Sequence, residues 1–417
     1  MKRAVAIVGS GPSGCYLAQA LLKAAPELAV DMFDALPVPY GLVRYGVAAD
    51  HQGTKAVTRQ FARLFERQGA RFAGNVTVGR DVTLEALRAA YDAVVIAAGL
   101  SGDRRLGIEG EALDGVIGAG RLTRALYEHP DAGPLPPPLG PRVIIMGNGN
   151  VAIDILRLLA KTPEELAGSD LGPAPSKWLA ESGIAEIDIV GRSPAARARF
   201  DAVMVKELAK LGGVTIRVEG AGESDDADAR KKIEALESID GHGSGPRRIT
   251  FRFGLVPVAL EGRGGRVEQA RFRNARGETV TLPCSAFITA IGFQAEGSLP
   301  RDALIGAAAD PEGGSLAPGL YAAGWFRRGP RGTIPENRAD AQELATRILA
   351  DIQEASPRPA QEREALFRRL AGHVCYEGWK RIDAAETSEL PQDRCRIKIP
   401  TRSAMLALAH QTRESGQ

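Results

Sequence analysis

Two short glycine-rich stretches carry the residues whose types and spacing could do chemistry. In the first, Gly9-Ser10-Gly11-Pro12-Ser13-Gly14 follows the apolar run AVAIV and precedes CYLAQALLKAA, whose apolar residues recur at helical spacing. Strand, glycine turn and helix in that order make a phosphate cradle. Gly9 allows the tight turn, Gly11 lets a pyrophosphate approach the backbone, and Gly14 lets helix and strand pack closely. Unpaired N–H groups at the helix N-terminus and the positive end of its dipole then face the phosphates. The second stretch, Gly147-Asn148-Gly149-Asn150-Val151-Ala152, follows RVIIM and opens a helix through Lys161, with Ala152 as the third close-packing residue. One such motif is often an ordinary glycine turn. Two in one chain are not a coincidence.

What each cradle takes is read at the end of the strand that follows it. The run AVDMF closes on Asp34, an acid that accepts hydrogen bonds from a ribose and repels a 2′-phosphate. An acid merely solvated in a turn is the plainer alternative. The first site should therefore hold FAD or NAD, not NADP. In the second unit the strand at 187–190 closes on Gly191-Arg192, and a guanidinium there binds a 2′-phosphate through two hydrogen bonds. NADP(H) is the expected second ligand, with Arg197 and Arg199 a little further on. Asp154 and Arg157, one turn apart on the second cradle's helix, are placed to pair with each other.

The 417 residues suffice for two domains, or three. With 44% hydrophobic and 25% charged residues the composition is that of a soluble globular protein, and a formal charge of +2 is too balanced for a nucleic-acid binder. No apolar run reaches membrane-spanning length and the N-terminus enters a strand at once, so the cytoplasm is the expected location and a monomer the expected state. Cys15, Cys284, Cys375 and Cys395 are scattered, with no C-x-x-C. That argues against a disulfide framework, a dithiol redox centre, a zinc ribbon or an iron-sulfur cluster of the chain's own.

Stepping along the chain, a loop at 35–55 has too many glycines and prolines for a long helix and sets Tyr40, Arg44, Tyr45, Asp50, His51 and Lys55 between apolar residues, as suits a ligand-lining loop. A helix is expected at 58–68. A buried strand at 92–98 ends in Gly99, where backbone comes close to a cofactor. PLPPPLG is a stiff connector. A helix at 226–236 carries Arg230, Lys231 and Lys232, a compact basic cluster that is either a solvated face or a docking site. The stretches 249–253, 256–260 and 269–273 alternate like an antiparallel meander before a buried strand at 286–291. A strand at 320–324 ends in Gly324, followed by Trp325 and a turn rich in glycine and proline, and the chain from 394 reads as a strand and a final turn.

Several of these stretches resemble one family. LPVPYGLVRYGVAADH looks like the hallmark loop of adrenodoxin reductase-type ferredoxin-NADP(+) reductases, glutathione reductase-like flavoproteins that bind two dinucleotides. GNGNVAIDILR resembles that family's NADPH motif, WFRRGPRGTIPENRADAQELATRIL its closure over FAD, and YEGWKRID a C-terminal signature. The resemblance implies that Gly41, Leu42, Val43 and Arg44 line the flavin, with His51 a catalytic candidate beside it. It implies that Gly324, Trp325, Gly332, Thr333 and Ile334 close the flavin site, and that Glu207 contacts the nicotinamide ribose. Where the family usually carries two adjacent arginines, this chain has Arg192-Ser193. Either a later arginine supplies the second contact or the preference for NADPH is weaker.

The implied fold is α/β, with two Rossmann-like, three-layer domains: a discontinuous FAD-binding domain, 1–105 and 317–417, and an NADP-binding domain, 106–316, inserted in it. The implied activity is transfer of electrons from NADPH through FAD to an iron-sulfur ferredoxin, serving an oxygenase system, with the ferredoxin docking near Arg230, Lys231 and Lys232. Motif order without the resemblance supports an oxidoreductase dependent on flavin and pyridine nucleotide. It leaves open another acceptor such as a quinone or a synthase partner, flavin monooxygenation, and a non-catalytic dinucleotide sensor.

Overall fold

Each glycine turn lies at the carboxyl end of a parallel strand inside a six-stranded sheet. The computed structural model describes residues 2–332 and 336–411; the expected flavin-site residues Thr333 and Ile334 lie outside the described residues. In the first sheet the strands run in the order Ser315–Ala317, Leu320–Ala322, Ala93–Ile96, Ala4–Val8, Ala29–Phe33, Arg71–Ala73, and only Ser315–Ala317 is antiparallel to its neighbour. Ala4–Val8 is buried along its whole length, which is why its sequence is a continuous apolar run rather than an alternating one. The chain leaves this sheet after Ile96 and returns at Ser315, and the second sheet is built from residues in between. The returning helix Glu336–Glu354 packs along Pro12–Ala24, the helix of the first glycine turn.

The second sheet is parallel throughout, in the order Val116–Gly118, Ala286–Thr289, Arg142–Met146, Glu186–Gly191, Arg247–Phe253, Val214–Glu219. This corrects the expected meander at its first member. The stretch at 249–253 is an interior parallel strand, and the antiparallel sheet is formed instead by Val256–Arg263, Arg266–Arg273 and Thr279–Pro283. Alternation misleads here because Arg252, a polar position of the alternating run, pairs with Asp188 of the adjacent strand. The C-terminal stretch is corrected as well. Residues 394–400 form no strand, only a single bridge between Arg394 and Ser169, and Arg402–Ala409 is a helix capped by the Thr401 hydroxyl. Among the described residues no helix is long and apolar enough to cross a membrane.

Candidate functional site

The first cradle owes its shape to glycines that cannot be replaced by other residues. Gly9 has φ +108°, and a Cβ on it would lie 2.4 Å from the Ala97 carbonyl oxygen; a Cβ on Gly14 would lie 2.1 Å from the Gly9 carbonyl. Gly11 is different, since the nearest atom to its would-be Cβ is the Gly41 Cα at 3.9 Å. Gly11 N-caps Pro12–Ala24 with no side chain bonded to the helix end, and Pro12 takes the first helical position, where no N–H is needed. The Ser13 hydroxyl donates to Asn337 Oδ1 at 2.9 Å and abuts Gly324, so the first turn and the returning segment meet. Gly99, at φ +68°, has open space where a Cβ would be.

Asp34 stands at the end of Ala29–Phe33, half-buried, and accepts from the Ser10 N–H at 2.9 Å, the Ser10 hydroxyl at 2.5 Å and the Leu36 N–H at 2.9 Å. Burial pushes its carboxyl above the ordinary range against the pull of the Ser10 and Leu36 bonds. From Asp34 the loop folds back: the Tyr40 N–H donates to the Ser10 carbonyl, and Gly41, Leu42, Val43 and Arg44 follow in a one-turn helix, Leu42–Tyr45. Leu42 is exposed and Val43 buried. Arg44 is buried too, its guanidinium paired with Glu386 and close to the Tyr45 and Trp379 rings.

The second cradle repeats the device. A Cβ on Gly147, at φ +130°, would lie 2.2 Å from the Ala290 carbonyl oxygen. Gly149 N-caps Asn150–Ala160 with no side-chain cap. Val151 and the buried Ala152 carry the first turn of that helix into the core. Asn150 Oδ1 accepts from the Asp201 N–H at 2.8 Å. Asn148 lies against Gly191, and its Nδ2 is buried without a partner among the described residues. Arg192 is exposed, with no side-chain partner recorded among the described residues.

His51 stands where the first unit's loop meets the helix of the second cradle. Its Nδ1 lies 3.6 Å from Asp154 Oδ1 and its Nε2 3.5 Å from Glu207 Oε2, so a first-unit loop residue is held by two carboxylates of the second unit. Burial pushes the Asp154 carboxyl up, against Arg157 and His51. Arg157 pairs with Asp154 at 2.9 Å, as its spacing predicts, and also with Asp50, which Lys161 reaches at 2.6 Å. For Asp50 the burial penalty is outweighed by Arg157 and Lys161, which hold its carboxyl below the ordinary range. On another side of the junction Trp325 stacks on Phe293, centroids 5.7 Å apart, and donates from Nε1 to the Gly332 carbonyl at 3.4 Å.

A family model described as pyridine nucleotide-disulphide oxidoreductase matches residues 3–243. The chain is 42% identical to cindoxin reductase of Citrobacter braakii over 418 residues, 97% of this chain and 91% of the relative. It is 34% identical to NADPH-ferredoxin reductase FprA of Mycobacterium tuberculosis over 449 residues, covering 97% and 98% of the two chains. The structure of that FprA in complex with NADPH aligns with a TM-score of 0.92, over 99% of this chain and 100% of that one. The chain belongs to the adrenodoxin reductase-type branch of the pyridine nucleotide-disulphide oxidoreductases.

This reductase is an NADPH-dependent flavoprotein whose cofactors are FAD and NADP(H). The residues present fit both. Each cradle offers a helix N-terminus with no side chain bonded over it, the second glycine of the first turn faces room rather than packed atoms, and the orphaned Asn148 Nδ2 offers a donor at the second. Sequence reasoning did not find Phe293 or the pairing of His51 with Asp154. Phe293 gave no signal, being one aromatic after a strand. Asp154 lay in the second motif itself, and its spacing to Arg157 offered a complete structural reading that hid the second partner.

Proposed function

We propose that the reductase passes electrons from NADPH through FAD to an iron-sulfur ferredoxin that serves an oxygenase system. The observation that carries this reading is His51, between Asp154 and Glu207 where the first unit's loop meets the second cradle's helix. FAD, when bound, supplies the conversion of a two-electron hydride into single electrons. The chain's share is binding, orientation and electrostatics. In this reading Gly9, Gly11, Pro12, Ser13, Gly14 and Asp34 hold the FAD pyrophosphate and ribose, while Gly41, Leu42, Val43, Gly99, Gly324, Trp325, Gly332, Thr333 and Ile334 enclose its ring system. Arg44, spent on Glu386, shapes the wall from behind. Residues 147–152 with Arg192 hold NADPH, Glu207 meets the nicotinamide ribose, and His51 is the catalytic candidate that orients the reacting rings. The FAD unit comprises 1–105 and the chain from the strand Ser315–Ala317 to 417, two residues before the expected boundary at 317, with the NADP unit between them, in a cytoplasmic monomer.

Basic side chains near Arg230, Lys231 and Lys232 receive the acidic carrier. Helix Ala227–Glu237, which carries them, packs against the turn at Ala195–Arg197 and the helix Ala202–Lys206. Lys232 donates to the Ala198 carbonyl, while Arg230 and Lys231 are exposed, with Lys231 3.4 Å from Asp228. Relatives are named for a ferredoxin, for adrenodoxin and for cindoxin.

The test is anaerobic mixing with NADPH, followed by reduction of a panel of ferredoxins at rising salt. Bleaching of the yellow protein and salt-sensitive ferredoxin reduction are expected, because steering of exposed charges is screened within about 10 Å at 0.1 M salt. A protein that does not bleach would be a dinucleotide sensor. Bleaching without reduction of any ferredoxin would point to another acceptor. Neutralising Arg230, Lys231 and Lys232 together without loss removes that docking surface, and His51→Ala with both half-reactions unchanged removes the role given to His51.

A further inference from the structure

A 2′-phosphate carries a charge of about −1.5 to −2 near neutral pH, and Arg192 alone neutralises only part of it. Ser193, the next residue, supplies no charge. The surroundings narrow the choice of a second cation. Arg248 is paired with Glu186, Arg252 with Asp188 and Glu219, and the Lys232 ammonium donates to the Ala198 carbonyl. Arg197 and Arg199 are exposed, and neither has a side-chain partner recorded among the described residues. Arg197 ends the short turn that packs on helix Ala227–Glu237. Arg199 is carried to the second glycine turn itself. Its N–H donates to the Asn148 carbonyl at 3.1 Å, it forms a bridge with Gly149, and its Cβ is 3.9 Å from the position a Cβ on Gly149 would take.

The first unit has the same crossing. Gly41 lies as far beyond Asp34 as Arg199 lies beyond Arg192, and there too the returning segment reaches the second glycine of the turn, with the Gly41 Cα 3.9 Å from the would-be Cβ of Gly11. The same fold-back thus brings a glycine to one turn and an arginine to the other. The backbone around Arg199 is fixed on both sides, by the Lys232 bond to Ala198 and by the Asp201 N–H bonded to Asn150 Oδ1. Among the described residues its guanidinium has no partner, while the backbone on either side is fixed.

We propose that Arg199 is a phosphate ligand of the pyridine nucleotide and, with Arg192, a determinant of the choice of NADPH over NADH. The proposal rests on the assignment of Arg192 and residues 147–152 to NADPH. A phosphate contact from Arg199 involves either the 2′-phosphate or the pyrophosphate, and the nucleotides themselves distinguish the two.

The experiment measures binding of 2′,5′-ADP and of ADP to the holoprotein by calorimetry, with NADPH and NADH oxidation alongside, for Arg192→Ala, Arg197→Ala, Arg199→Ala and Arg199→Lys. Arg199→Ala is expected to weaken 2′,5′-ADP by about 10- to 100-fold, the worth of a charge-assisted hydrogen bond, with partial rescue by lysine and no change for Arg197→Ala. A loss confined to 2′,5′-ADP and NADPH places the contact on the 2′-phosphate, as the choice of NADPH requires; an equal loss for ADP and NADH places it on the pyrophosphate and overturns the part given to Arg199 in that choice. Wild-type binding of all four nucleotides by Arg199→Ala, or an equal loss in Arg197→Ala, overturns the proposal. An Arg192→Ala variant that keeps its NADPH preference fails the assignment on which the proposal rests, a result separate from either.

Discussion

The Arg44 guanidinium lies in the core with 6% of the residue exposed, its carbon 5.0 Å from the centre of the Tyr45 ring and 5.1 Å from that of Trp379. Its counter-charge, Glu386, is equally enclosed, and also takes Arg396 and the Ile399 N–H. Removing one side of such a pair strands the other in low dielectric, at about 3–5 kcal/mol. Glu386→Ala should lower stability by that order in urea unfolding near neutral pH. The sign with pH follows from the same contacts. Burial raises the Glu386 carboxyl, but Arg44 and Arg396 outweigh it and hold it below the ordinary value. Its stabilisation is therefore present above the unfolded value, about 4.3, and lost as pH falls through the lower folded one. The gap between wild type and Glu386→Ala should shrink on acidification. A gap that is constant from pH 7 to pH 3 would contradict the pair.

At the scale of elements, each glycine turn is a joint between one strand and one helix, and the two joints can be broken separately. A methyl group on Gly147 would both occupy a φ of +130° and collide with the Ala290 carbonyl. Gly147→Ala should abolish tight NADPH binding while the protein stays yellow, because the first cradle lies in the other sheet; loss of the flavin as well would show that the joints are not independent. These joints were legible because a strand buried on both faces, a glycine turn and a helix each leave a different period in the sequence. Asp34 and Arg192 were legible because a strand end fixes where one residue stands. The strand at 249–253 was legible but its place in the parallel sheet was not, since a charged residue paired across parallel strands copies the alternation of a solvent-facing edge. Nor was the destination of the C-terminal stretch. Lys398 in RCRIKIP is 2% exposed, and only a distant carboxylate explains why.

That carboxylate is Asp170, and it ties together three parts of the whole molecule. Lys55 of the first unit's loop reaches Asp170 Oδ2 at 2.6 Å, and Lys398 of the C-terminal segment reaches Oδ1 at 3.0 Å and the Asp170 carbonyl at 2.8 Å. Burial pushes the Asp170 carboxyl up, but the two lysines outweigh it and hold it below the ordinary range. Burial also drives the Lys55 ammonium down to about 8, with Lys398 adding to the fall and Asp170 opposing it. Without the carboxylate, two ammonium groups would share one buried space. Asp170→Asn should therefore cost about 3–5 kcal/mol, and should do so by loosening one unit from the other rather than by damaging either core. Scanning calorimetry should resolve two transitions where the wild type shows one. Reduction of the flavin by NADPH should slow, because the rings are no longer held in register, whereas affinity for 2′,5′-ADP should stay at the wild-type value, since the second cradle is intact. A single transition at the wild-type temperature, or a loss of nucleotide affinity equal to the loss of rate, would show that Asp170 does not couple the two units.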